Sequence, residues 1–131
     1  MAPGVKQAKG VELYETRTRA GLAAVGVVME QIPELLEVLA ERIEIQNIGV
    51  ESMDSWEGIT HVYMYDLGFK RDCYYNMLRL WNESSTTRWM VSFRTPDLLW
   101  RRGFNLKLLC APFVRQPGSS FGHRCYIYEK I

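Results

Sequence analysis

The chain has 131 residues, of which 47% are apolar and 24% charged, with a net charge of +1. That length and composition suit a soluble globular fold that needs no metal or disulfide staple, and they exclude disordered, collagen-like and mucin-like chains. No repeat of roughly 20–50 residues marks a solenoid, and the longest apolar run, the ten residues Ala20 to Met29, is about half of what a membrane-crossing helix requires.

Residues 1–10 lack periodicity and contain Pro3, Gly4 and Gly10, so they read as a loose tail ahead of a single domain over 11–131. Val11 to Thr18 begins an alternation that breaks down at Thr16-Arg17-Thr18. Leu22 to Met29 is apolar, holds the β-branched Val25, Val27 and Val28, and is interrupted by Gly26, which favours a buried strand over a helix. Although Arg17 and Arg19 precede this run as a basic start precedes a signal sequence, Glu12 and Glu15 interrupt the basic region. Glu30-Gln31-Ile32-Pro33 is also a poor cleavage site.

Ile32, Leu35, Leu36, Leu39 and Ile43 recur with helical spacing, and Pro33 suits a first turn, so an amphipathic helix is predicted at 33–43. From Ile43 the period changes to two. Strands are read from Ile43 to Val50 and from Ile59 to Tyr65. Tyr74 to Asn82 and Arg88 to Thr95 then read as a hairpin across the polar Glu83-Ser84-Ser85-Thr86-Thr87, with Trp89, Val91 and Phe93 on one face and Arg88, Ser92 and Arg94 on the other, in a sheet with one packed and one wetter face. Thr95-Pro96-Asp97 is a helix start, with the Thr95 hydroxyl as cap, and Gly103 stops a short helix over 96–102. Phe104 to Cys110 and Arg124 to Lys130 are two more strands, joined through a loop containing Pro112, Pro117, Gly118 and Gly122. The predicted class is α+β, a mainly antiparallel sheet packed against one principal amphipathic helix with one short helix besides.

The net charge conceals a division along the chain. Residues 1–66 hold 5 Lys/Arg against 11 Asp/Glu, a charge of −6, and residues 67–131 hold 11 against 4, a charge of +7. Of the 16 aromatic residues, 12 fall in the second stretch. Arginine, tryptophan and tyrosine dominate interface hot spots, and a positive pole steers acidic partners. The expectation is therefore a non-catalytic binding protein of adaptor or inhibitor type, of the kind found among phage and viral accessory proteins. It would meet an acidic protein partner through Arg79, Arg88, Arg94, Trp100, Arg101 and Arg102, with self-association through the charge division as a further option.

The same residues fit a second reading, single-stranded DNA or RNA on a basic aromatic sheet face, where cations neutralise phosphates and rings stack on bases. A small enzyme or small-molecule effector-binding domain is the third. Neither cofactor nor metal is expected: His61, Cys73, Cys110, and His123 with Cys125 lack the close pairs of a zinc site, and no residue pairing marks a nucleophile. Gly118 to Gly122 lacks the lysine and following helix of a phosphate loop. An odd count of three unpaired cysteines favours a reducing compartment, so a cytoplasmic location without a membrane partner is expected.

Overall fold

The computed structural model describes residues 6–32, 34, 43–115 and 120–131. Strands and helices are both present, and the sheets are mostly antiparallel, so the α+β class holds. The chain divides into two compact units, Met1–Ser52 and Met53–Ile131.

In the first unit, strand β1 (Ala8–Val11) and strand β2 (Ile43–Gln46) pair in parallel, from Ala8 opposite Ile43 to Val11 opposite Gln46. Residues 8–10, read as tail, therefore belong to a sheet. Helix α1 (Glu15–Gln31) comes after β1 and replaces the strand read over Leu22 to Met29. Ala20, Leu22, Ala23 and Ala24 are strong helix formers, and together they outweigh three valines and two glycines. The first turn is anchored where the Asn47 side-chain amide donates to the carbonyls of Glu12 and Leu13, each at 2.9 Å. Gly21 keeps α1 close to β2, because a β-carbon there would meet Ile45 Cδ1 at 3.2 Å. The helix predicted at 33–43 falls outside the described residues except for Glu34 and Ile43, and Ile43 opens β2.

The second unit contains β3 (His61–Tyr63), α2 (Arg71–Glu83), β4 (Trp89–Ser92), α3 (Pro96–Arg101), β5 (Leu106–Cys110), β6 (Phe113–Arg115), β7 (Gly122–Arg124) and β8 (Tyr126–Lys130). Its main sheet has the order β3-β4-β8-β5: β3 and β4 are parallel, and β8 runs antiparallel to both β4 and β5. Strands β6 and β7 form a separate two-stranded antiparallel sheet inside what reads from sequence as a loop.

The main correction concerns Tyr74 to Asn82, which is helix and not the first arm of a hairpin. Tyr74, Met77, Leu80 and Trp81 are buried at helical spacing, whereas aromatic content alone suggests a strand. Strand β3, helix α2 and strand β4 thus make a crossover, the connection that parallel strands require. Residues 83–87 close the helix instead of turning a hairpin: Ser84 Oγ donates to Trp56 O at 3.2 Å and Thr87 Oγ1 to Ile59 O at 2.8 Å. The Lys130 ammonium, delivered by β8, donates to the carbonyl oxygens of Trp81 and Ser84 and lies 5.5 Å from the Trp81 ring centre. A cation there satisfies carbonyls that lack intrahelical partners and opposes the negative end of the helix dipole.

Alternation alone leaves open which face of β4 is packed, and Phe93, just beyond the strand, is buried. Met90 and Ser92 are buried, whereas Trp89 and Val91 are only half-covered. Met90, Met77, Trp81, Leu99 and Tyr128 are fully buried and form the centre of the core. Helix α3 begins at Pro96 as expected, although the Thr95 hydroxyl makes no capping bond. Gly103 ends it in the left-handed region at φ 95°, where a side chain would be strained.

Asp66, wholly buried just beyond β3, has its carboxylate saturated by internal donors. Ser92 Oγ and the Tyr74 hydroxyl donate to Oδ2, the latter at 3.1 Å, and the Phe93 amide donates to Oδ1 at 2.8 Å. Asp66→Ala would leave the buried Ser92 hydroxyl and Phe93 amide unpaired, each costing about 1–3 kcal/mol, while the Tyr74 hydroxyl keeps the backbone carbonyl of residue 66 at 3.1 Å. The variant should therefore lose about 2 kcal/mol or more in urea unfolding, against about 1 kcal/mol for Ser92→Ala.

Candidate interaction surface

One face of the main sheet is packed through Met90, Ser92, Leu106 and Tyr128. Because side chains alternate along a strand, the register places His61 beside Trp89, Tyr63 beside Val91, and Ile127 beside Val91 on the opposite face. Tyr63 is 64% exposed there. His61, Val62, Trp89, Met90, Val91 and Ile127 line a shallow concavity of about 260 Å³, whose walls are mostly apolar.

Two groups hold the indole of Trp89. The His61 imidazole stacks on it at 4.5 Å between ring centres and 23° between planes, and the Arg88 guanidinium lies 5.2 Å from its centre. Arg88 also pairs with Glu129 at 3.5 Å, with most of its side chain in solvent. Lys107 stands opposite the same Glu129 across β5 and β8. Arg88 thus lies beside an apolar hollow, and its carboxylate partner faces a second basic residue in the strand register. The whole unit, residues 53–131, carries 11 Lys/Arg against 7 Asp/Glu.

The five arginines and one tryptophan singled out from sequence do not form one patch. Arg79 staples the start of the unit to α2: it donates to the carbonyls of Met53 and Asp54 and pairs with Glu83 at 2.7 Å. Arg94 and Arg102 both converge on Tyr74. Arg94 Nε donates to its hydroxyl at 3.2 Å, Arg94 also reaches Leu67 O, and the Arg102 guanidinium lies 4.1 Å over the ring. Trp100, 51% exposed, anchors its indole N–H on Leu106 O at 3.0 Å, and Arg101 beside it is exposed. Of these residues, Arg88 adjoins the concavity.

Val91 and Ile127 are binding candidates that sequence reasoning does not single out, and His61 enters it as a metal, acid–base or pocket candidate and not as a partner-binding residue. Their signal lies in the helical spacing of residues 74, 77 and 81, which makes 61–63 and 89–92 parallel neighbours. Among the other flagged residues, His123 packs 6.4 Å from Phe93 and 6.2 Å from Tyr65. Cys73 is half-buried, Cys110 exposed and Cys125 buried. Among the described residues, no group of three or more His, Cys, Asp or Glu converges on a point, and no helix is long and apolar enough to cross a membrane.

No known protein family matches the chain, and no curated protein or solved structure is similar to it.

Burial pushes the Tyr74 hydroxyl up from 10.0 to about 12, and the neighbouring Asp66 charge adds to the rise. Burial raises Tyr128 as well. Between pH 10 and pH 12 the folded state keeps protons that the unfolded state releases, so stability falls as pH rises through that window and is intact below it. Tyr74→Phe should be less stable than the parent at pH 8, yet lose less between pH 10 and 12. Urea denaturation across that range measures the difference.

Proposed function

We propose that the chain is a non-catalytic protein-binding module, of adaptor or inhibitor type, that takes an acidic partner on the open sheet face of its 53–131 unit. One observation carries the reading: an apolar concavity at His61, Trp89, Val91 and Ile127 lies beside the exposed cation Arg88, which rests on the Trp89 ring and on Glu129. A partner's aliphatic or aromatic side chain fills the hollow, and its carboxylate competes with Glu129 for Arg88. Apolar burial supplies the affinity, and charge supplies orientation and on-rate.

The chemistry of the face favours a protein over single-stranded nucleic acid. Trp89 already carries a stacked imidazole and a guanidinium, the two kinds of contact that a base would have to replace, while Val91 and Ile127 offer no ring. The saturation of Asp66, closed off from solvent by its own donors, suits scaffolding better than proton transfer. Trp100 and Arg101 on α3 offer a second exposed aromatic and basic contact. The same logic supports action in a reducing, cytoplasmic setting, where the three cysteines stay as thiols.

A random peptide library displayed against the full chain tests this reading. Enriched peptides should combine Asp or Glu with a large apolar residue. Val91→Lys, which drives a charge into the hollow, and Arg88→Glu should each weaken a selected peptide about ten-fold or more, a loss of about 1.4 kcal/mol, with circular dichroism unchanged. Peptides that bind equally well to both variants would overturn the choice of surface. A single-stranded oligonucleotide bound by the parent and lost by the same variants would replace the protein reading with the nucleic-acid one.

A further inference from the structure

We infer that the outer edge of β5 accepts an extended, acidic segment of a partner protein as a fifth strand of the main sheet, a site separate from the open sheet face. Strand β5 ends the order β3-β4-β8-β5, so among the described residues one side of it has no neighbouring strand. Which main-chain groups face that side follows from β8. The Lys130 amide donates to Arg88 O, which turns the main chain of Lys130 toward β4 and away from β5. Leu106, opposite Lys130 in the register, is therefore turned outward, and its carbonyl accepts the Trp100 indole N–H there at 3.0 Å. Main-chain direction alternates along an antiparallel strand, so Leu108 presents both its N–H and its C=O to the same open side. No described group bonds to either of them. The Trp100 indole closes the Leu106 end of this edge, and a bulge between Leu108 and Cys110 ends the regular ladder at the other. The site is the short stretch centred on Leu108, where an unpaired strand edge can template another strand.

The charge along this edge selects the occupant. Leu98 to Tyr128 contains five Lys/Arg and not one Asp or Glu. Lys107 is the one charged residue of β5, and it is exposed. Glu129, opposite it in the register, pairs with Arg88 at 3.5 Å, and among the described residues no ion pair joins it to Lys107. Arg101, exposed beside Trp100, adds a second cation at the Leu106 end. A strand laid along β5 sets a side chain next to Lys107, where an opposite charge stabilises the pair and a like charge destabilises it. Leu108, on the other face, is half-buried, and an apolar side chain at the alternate position completes its cover. The occupant is thus a strand that alternates acidic and apolar residues. A second copy of β5 is disfavoured because it brings another Lys107 and no acid, and lysine on an edge strand guards against such self-pairing. Nucleic acid is disfavoured because an N–H and C=O pair at strand spacing finds its complement in a peptide backbone.

The test uses the full chain and a synthetic peptide of alternating Glu and Val, with alternating Lys and Val as its charge control. Because the open sheet face also takes acidic apolar peptides in the reading above, the readout is local: exchange of the Leu108 amide with deuterium, followed by nuclear magnetic resonance. Saturating Glu-Val peptide should slow that exchange about ten-fold or more, in the parent and equally in Val91→Lys. The Lys-Val peptide should leave it unchanged, as should a Glu-Val peptide N-methylated at each Val, and Lys107→Glu should reverse the preference between the two charges. Leu108→Pro removes the outward N–H and spares the β8 ladder, at a place where edge strands tolerate proline. In the Val91→Lys background it should weaken the Glu-Val peptide about ten-fold or more, with circular dichroism unchanged. Leu108 exchange that the Glu-Val peptide does not slow overturns the inference, and so does equal slowing by the Lys-Val peptide. Protection lost in Val91→Lys would place the peptide on the open face alone and overturn it too. A sedimenting dimer with Leu108 protected in the absence of peptide would give the edge to a second copy and overturn the choice of partner. The open-face reading stands or falls on Arg88→Glu and Val91→Lys against selected peptides, and neither outcome there decides the exchange at Leu108.

Discussion

A carboxylate removed from water must be matched by donors or the fold containing it does not form. Asp66 is such a group, and its donors come from three places: Ser92 at the end of β4, the Phe93 amide just beyond it, and Tyr74 in α2. Satisfying one side chain therefore fixes the end of β3 against both the helix that crosses over and the strand that it leads into. Tyr74 passes the constraint outward, because its hydroxyl receives Arg94 and its ring carries Arg102. Tyr128 continues it into β8 through a 2.7 Å bond to Arg94 O. A polar knot of this kind adds little net energy compared with an apolar core, but its directionality allows few alternative arrangements.

The open sheet face is a consequence of that knot. Ser92 must point inward to reach Asp66, so Met90 does too, and strand alternation turns Trp89 and Val91 outward. The hollow beside them is therefore a by-product of a buried hydrogen-bond network on the other side of the same strand. Arginines that resemble a binding patch in the sequence are consumed in the same construction: Arg79 and Arg94 commit their donors to carbonyls and hydroxyls of their own unit. A guanidinium is informative about partners only when the chain offers it no acceptor, and Arg88, held by a single carboxylate at 3.5 Å, is nearer that condition.

The α+β class, the strands near 43–46, 61–63, 89–92, 106–110 and 126–130, and the short helix after Thr95 were legible because each rests on local pattern: alternation, β-branched residues, a proline at the helix start and a glycine after its end. The two helices read as strands were errors of weighting. In α1, β-branched valines masked a run of alanines, and in α2 aromatic residues masked a spacing of three and four that buries Tyr74, Met77 and Trp81. Parity on β4 was not legible, since it depends on which side the crossover helix covers. The candidate site suffered most, because the pairing of His61 with Trp89 joins residues 28 apart in sequence and exists only after the crossover is assigned.

Strand β8, last in chain order, occupies the middle of the main sheet between β4 and β5. Until it is in place, β4 and β5 have no ladder joining them, Lys130 cannot close α2, and Tyr128 cannot reach Arg94. A ribosome making this chain therefore exposes both helices, and the apolar faces meant to cover the sheet, well before the strand that unites them emerges. The most non-local pairing in the unit is also the one on which assembly waits. That order of events favours slow, all-or-none closure over stepwise accretion.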